Sequence, residues 1–217
     1  MSSFNWDRFN RMPIIGIIRN LPAHRILEMA DLYYQCGFST IEVTMNTAGA
    51  ASLIKELVQH HGHKLNIGAG TVCTEDELQT AIEAGASFIV TPVLNETIIR
   101  SSVEQSVPIF PGAYTPTEIF NAWSYGASMV KVFPATKLGP GYIKDVMAPM
   151  NYLKLVPTGG VDLNNITDFF AAGAAGVGLG SNLFPKQIIE QGKWEELKTI
   201  LESFHTKFSE FRNLQTN

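Results

Sequence analysis

Eight short runs rich in β-branched and apolar residues recur along the chain, at 13–18, 40–45, 65–71, 88–92, 108–111, 129–133, 153–158 and 176–180, with helix-like segments between them. Strands that pair in parallel need a crossover of a dozen or more residues, usually a helix. This alternation therefore specifies an α/β protein with a parallel sheet rather than a helix bundle or a sandwich. The helix starts are marked: Thr74 is followed by Glu77, and Thr115 by Pro116 and Glu118, the capping-box pattern with proline at the first helical position. Leu78, Ala81 and Ile82 in one segment, and Ile119 and Ala122 in the other, continue at helical spacing. Gly37, Gly85, Gly126 and Gly173 stand just ahead of the second, fourth, sixth and eighth runs, where a left-handed helix cap costs least.

Eight strand–helix units in 217 residues, with no linker and no shift in composition, predict a single-domain (β/α)8 barrel over 1–217. An open doubly wound sheet is the competing arrangement, but it expects a glycine fingerprint at the first helix, and 13–20 holds only Gly16. Phe4, Trp6 and Phe9, and Trp194, Phe204 and Phe208, fall at about helical spacing and are expected in N-terminal and C-terminal helices packed on the barrel ends. Only 17% of residues are charged and 45% are hydrophobic, so much of the chain must face inward in more than one layer. Size scaling sets the folded surface near ~9,900 Å².

Charge and cysteine usage narrow the partners. Sixteen Lys and Arg against 20 Asp and Glu give a net charge of −4, with no like-charge run longer than Glu75-Asp76-Glu77. Nucleic acid and anionic membranes are therefore not expected as partners. Cys36 and Cys73 form no CxxC pair, which suggests a reduced, cytoplasmic protein. The first residues hold no apolar signal core, and no stretch reaches 18 apolar residues, so neither secretion nor a membrane span is expected.

Strand parity places charge where a core belongs. In the second run Ile41, Val43 and Met45 share the face that should meet the helices, which turns Thr40, Glu42 and Thr44 inward. In the sixth, Val130 and Val132 take the outer face, and Met129, Lys131 and Phe133 point into the barrel. Arg19 shares parity with Ile15 and Ile17 at the carboxyl end of the first run. A lone strand lysine is more often structural, snorkelling outward or held in a buried ion pair. A lysine and a glutamate converging inside a barrel are either such a pair or a working site, and the carboxyl ends of barrel strands are where working sites lie.

The chemistry that uses both is Schiff-base catalysis. An amine among Val130, Val132, Phe133 and Pro134 has its charged form disfavoured and becomes nucleophilic near neutral pH. Condensed with a 2-oxo acid, it gives an iminium that accepts the electrons of a breaking carbon–carbon bond, while Glu42 moves protons. That chemistry needs no metal and no cofactor. Two glycine-bearing strand ends, Thr158-Gly159-Gly160 and Gly178-Leu179-Gly180-Ser181, lie where barrels of this kind often bind phosphate, although such turns also serve simply as tight corners. Gly176, Gly178 and Gly180 do not match a dinucleotide fingerprint. His60, His61 and His63 lie at a helix end without an inward carboxylate or cysteine, so no metal site is expected there, and nothing pairs Cys73 with a histidine.

Ile41-Glu42-Val43-Thr44, Gly68-Ala69-Gly70-Thr71-Val72, Thr91-Pro92, Phe110-Pro111-Gly112, Lys131-Val132-Phe133-Pro134-Ala135, Pro157-Thr158-Gly159-Gly160-Val161 and Gly178-Leu179-Gly180-Ser181 together resemble, in order and over nearly the whole chain, the KDPG/KHG aldolase family. The resemblance implies a (β/α)8 barrel, usually a homotrimer, working as a class I aldolase on 2-keto-3-deoxy-6-phosphogluconate (KDPG), with pyruvate and glyceraldehyde 3-phosphate as products. It implies Lys131 as the Schiff-base lysine and Glu42 as general acid/base. Thr71, Pro92 and Phe133 would shape the pyruvate pocket, Arg19, Gly159, Gly160, Gly180 and Ser181 would lie near the phosphate, and Thr158 near the substrate hydroxyls. Asn46 stands where gluconate-type members generally place an arginine for the pyruvate carboxylate, so it resembles the galactonate-type relatives, as does 138–144; Thr158 resembles the gluconate type. The preferred C4 epimer stays open. So do two other readings of the residues: a sugar-phosphate isomerase or epimerase in which Lys131 is only electrostatic, and a catalytically silent phosphosugar-binding barrel.

Overall fold

A computed structural model describes residues 3–216; Met1, Ser2 and Asn217 of the expected 1–217 domain lie outside the described residues. The strands are β1 (Ile14–Ile18), β2 (Thr40–Thr44), β3 (Asn66–Gly70), β4 (Ile89–Val90), β5 (Ile109–Phe110), β6 (Gly112–Ala113), β7 (Val130–Val132), β8 (Leu155–Pro157) and β9 (Val177–Leu179). They pair in parallel in the orders β5-β4-β3-β2-β1-β9 and β6-β7-β8. The fifth run was expected as one strand. The stave runs on past that run's end: β5 lies within it and β6 just beyond, separated by Pro111, which has no N–H to give a ladder, so the two strands join the two sheets through the chain itself. At the other seam Thr158 bridges Gly178 in parallel, so the sheet closes on itself as an eight-staved barrel.

The helices are α1 (Trp6–Arg11), α2 (Ile26–Gln35), α3 (Ala50–His61), α4 (Glu75–Glu83), α5 (Glu96–Glu104), α6 (Pro116–Ser124), α7 (Gly139–Met147), α8 (Ile166–Ala171), α9 (Lys186–Glu190) and α10 (Trp194–Thr216). Both capping boxes form. The Glu77 N–H donates to Thr74 Oγ1 at 3.1 Å while the Glu77 carboxylate accepts the Thr74 N–H at 3.2 Å, and Glu118 and Thr115 do the same at 3.3 and 2.8 Å. The backbone N–H groups of Thr115 and Tyr114 hold the Glu118 carboxyl below the usual range. All four cap glycines sit in the left-handed region, with φ from 90° to 103°. No helix among the described residues is long and apolar enough to cross a membrane.

Two apolar layers account for the low charge. One lies between sheet and helices. The other fills the lower barrel, where Ile15, Val90, Met129 and Val156 meet Phe88 and Phe110 from the strands and Phe4 and Phe9 from the N-terminal segment. The Phe4 ring lies 5.2 Å from Phe88 and 5.9 Å from Phe110, edge to face, so α1 and the residues before it plug the amino end of the barrel. The C-terminal helix departs from expectation. The five-residue α9 is too short to cover its strand pair, and α10 takes the outer-layer position instead, against α2, α8 and α9, burying Leu197, Leu201, Phe204 and Phe208 at heptad-like spacing. The accessible surface, 9764 Å², matches the value set by size alone.

Phe88→Ala is expected to destabilise the protein by about 3–5 kcal/mol, because the plug cannot collapse around the lost ring. Urea unfolding measures it. A loss below about 1 kcal/mol would mean that the aromatic plug is not part of the core.

Candidate active site

At the carboxyl end of the barrel, parity delivers what it predicts. Glu42 pairs with Ile17 and Gly68 across β1–β2–β3, Lys131 pairs with Gly112 and Val156, and both side chains turn inward, only 2% and 6% exposed. Room for the carboxylate comes from β3: a Cβ at Gly70 would overlap Glu42 Oε1, which gives the second glycine of Gly68-Ala69-Gly70 a physical reason. The Lys131 ammonium lies 4.8 Å from the centroid of the Phe133 ring, two residues along the chain. Among the described residues no direct Glu42–Lys131 ion pair forms. The two groups nevertheless interact. Burial pushes the Lys131 amine below its ordinary range, Glu42 opposes this, and Arg19 adds to it; burial pushes Glu42 above the carboxylate range, opposed by Lys131. Each partner is thus moved toward its neutral form, as an amine nucleophile and a proton-carrying carboxyl require.

The cavity above them measures about 420 Å³, within the size range of small-molecule sites. Its wall includes every residue expected at the site: Lys131 and Glu42 at depth with Thr158 and half-buried Phe133; Thr71, Pro92, Gly159 and Gly180 half-buried above them; and Arg19, Asn46, Gly160 and Ser181 exposed at the rim. Thr71 has φ +55°, the left-handed region where a β-branched residue is strained, at the end of β3. Gly159 and Gly160 take φ +87° and +77°, and a side chain at Gly160 would overlap Thr136 Cα. The N–H groups of Gly160, Ser181 and Asn182 find no acceptor among the described residues, which leaves donors for an anion at the rim. Asn182 Nδ2 donates to the Val161 carbonyl at 2.7 Å and ties the two glycine loops together.

Sequence reading turned Thr44 inward without giving it a site role and passed over Asn182 and Lys186; all three share this wall. Thr44 has Glu42's parity and was legible as an inward residue, whereas Asn182 lies on a turn without periodicity and Lys186 opens the short α9 that follows it. The histidines do not converge: His61 is buried beside Asp31, with Nδ1 3.6 Å from Oδ1, while His60 and His63 are exposed. Cys73 is exposed after β3, its thiol pushed up by burial and then by Glu77.

A closed parallel barrel whose carboxyl end encloses a buried lysine and a carboxylate in one cavity has the layout of a barrel enzyme, whose sites lie at that end. The family described as KDPG and KHG aldolase matches residues 7–200. The chain is 34% identical over 202 residues to the 2-dehydro-3-deoxy-phosphogluconate aldolase of Pseudomonas aeruginosa, spanning 93% of this chain and 90% of that one. It is 33% identical over 175 residues to the 2-dehydro-3-deoxy-6-phosphogalactonate aldolase of Escherichia coli K12, spanning 80% and 85%. Among solved structures, one described as native KDPGal superposes with a TM-score of 0.88 at 29% identity, over 97% of this chain and 99% of that one. A KDPG aldolase from Legionella pneumophila, with pyruvate captured as a covalent carbinolamine, gives 0.84 at 25% identity, over 91% and 96%. The chain belongs to the KDPG and KHG aldolase family.

Proposed function

We propose that this chain is a class I aldolase that cleaves 2-dehydro-3-deoxy-6-phosphogluconate to pyruvate and glyceraldehyde 3-phosphate, and that also accepts 4-hydroxy-2-oxoglutarate, giving pyruvate and glyoxylate. The observation that carries the reading is the convergence of Lys131 and Glu42, both buried, in one cavity. In the neutral amine state Lys131 Nζ adds to the C2 carbonyl, and loss of water from the carbinolamine leaves an iminium. Glu42 takes the proton of the C4 hydroxyl as the C3–C4 bond breaks, and the electron pair of that bond moves into the iminium to give an enamine. The aldehyde departs. Glu42 returns the proton to C3, and water then adds and releases pyruvate and the free amine.

Thr71, Pro92 and Phe133 shape the pyruvate half in this reading, with Asn46 as a neutral hydrogen-bonding partner for the carboxylate and Thr158 as a partner for the hydroxyls. Arg19 and the rim loops with Gly159, Gly160, Gly180 and Ser181 receive the phosphate. The galactonate epimer is the second reading, favoured by Asn46 at the exposed rim where an arginine would bring a full charge. Mass spectrometry after borohydride treatment with pyruvate is expected to find a reduced adduct on Lys131, and an unmodified Lys131 would return the chain to the isomerase or silent-binding readings. Kinetics on the two epimers side by side decide between them: a kcat/KM at least about tenfold higher for the gluconate epimer supports the first reading, and the reverse supports the second. We further read the chain as a cytoplasmic homotrimer on the strength of the family resemblance; light scattering in solution tests the trimer.

A further inference from the structure

Among the described residues the cavity wall carries three cations, Lys131 at depth, Arg19 at the end of β1 and Lys186 at the start of α9, against Glu42 as its one carboxylate. Arg19 is accounted for in the phosphate reading, and Lys186 is not. Its position is firmly built. The Leu183 and Phe184 N–H groups both donate to the Gly180 carbonyl at 2.9 Å, Leu183 and Phe184 are buried, and Pro185 turns the chain into α9 with φ −63°. That turn starts at Gly180 and contains the free N–H groups of Ser181 and Asn182, so the backbone that carries Lys186 follows directly from those donors on the cavity wall, while its side chain stays free to move. Lys186 Nζ lies 3.5 Å from Glu190 Oε1, with the two side chains 61% and 47% exposed. An exposed i,i+4 pair of this kind is worth little and is screened by salt. A phosphate monoester brings about −1.5 to −2 charges at neutral pH, more than Arg19 alone balances.

Building on the aldolase reading, we propose that Lys186 is a specificity-determining residue that leaves Glu190 and closes on the substrate's terminal phosphate, making the site select phosphorylated over unphosphorylated 2-oxo-3-deoxy acids. Arg19 and Lys186 then provide two full charges beside the backbone donors of Gly160, Ser181 and Asn182. Lys131 and Glu42 remain outside this selection, because the carbon–carbon chemistry is the same for both kinds of substrate.

The test compares wild type, Lys186→Met and Glu190→Gln on a 2-keto-3-deoxy-6-phosphosugar acid and on its unphosphorylated counterpart. Lys186→Met is expected to raise KM for the phosphorylated substrate about tenfold or more, the scale of one lost charge-assisted contact, while leaving its kcat and both constants for the unphosphorylated acid within about twofold. Glu190→Gln, which frees the ammonium, is expected to lower KM for the phosphorylated substrate only. An unchanged selectivity ratio in Lys186→Met overturns the proposal, and so does an equal loss on both substrates. Titration of inorganic phosphate by calorimetry gives a second readout: binding is expected to weaken in Lys186→Met, and undiminished binding overturns the proposal. If wild type cleaves neither acid yet binds phosphate through Lys186, the aldolase reading fails and the anion role of Lys186 stands. If wild type cleaves both and the ratio does not move, only the role of Lys186 fails.

Discussion

Lys131→Met is expected to abolish both the borohydride-trapped pyruvate adduct and turnover, lowering kcat by about 10⁴-fold or more, the scale seen when a covalent nucleophile is deleted. The variant keeps a long apolar side chain in a pocket already lined by Phe133, so circular dichroism should report an unchanged fold while activity vanishes. Turnover within about tenfold of wild type would remove covalent catalysis from this site. The substitution also has a stability signature. Burial lowers the proton affinity of Lys131 in the folded protein, so between that lowered value and the ordinary ~10.4 of an unfolded lysine the unfolded chain binds more protons. Stability from this group is present above that window and is lost as pH falls through it. Wild type should therefore gain more stability than Lys131→Met does as pH rises through that window, as urea titrations at a series of pH values will show. Equal gains would mean that the amine titrates as if in water.

Glu42→Gln separates the two halves of the mechanism. The amide can still hydrogen-bond but cannot shuttle protons, so kcat should fall by about 10²–10⁴-fold while the pyruvate adduct still forms. Loss of the negative charge also removes what holds the Lys131 proton in place, so the amine becomes neutral at lower pH. The midpoint of adduct formation against pH should move in the acid direction relative to wild type. An unchanged kcat would exclude Glu42 from proton transfer, and a midpoint that moves alkaline would contradict the coupling between the two groups.

Much of this arrangement was legible in the chain, and the reason is geometric. Strand periodicity is two residues, so an apolar set such as Ile41 and Val43 assigns the opposite face to Glu42 without further information, and the same holds for Val130, Val132 and Lys131. Capping boxes were equally readable because Thr74 and Glu77, or Thr115 and Glu118, complete their bonds within four residues. What escaped depends on distance along the sequence. Gly70 explains itself only beside Glu42, 28 positions earlier, and the apolar spacing of α10 marks a helix without saying that it packs against α2, α8 and α9. Pro111 was visible, but its effect, dividing one stave in two, emerges only when both neighbouring strands are in place. Asn182 sits on a turn, and Lys186 begins α9 just after it; the shape of that turn is set by carbonyl contacts and buried Leu183 and Phe184, and no residue periodicity records that.

Among the described residues, the aromatic plug closes the amino end of the chamber and leaves the carboxyl rim as its door. Phe4, Phe9, Phe88 and Phe110 seal the far side, so whatever enters through the rim must leave by it. In the proposed cleavage the oxo-acid half is tethered to Lys131 at the floor, while the phosphorylated half lies between it and solvent. Traffic is then ordered by geometry: the aldehyde departs first and pyruvate last, and in the direction of synthesis pyruvate must be seated before the aldehyde arrives. Product-inhibition patterns should carry that sequence, with pyruvate competing directly for the empty chamber.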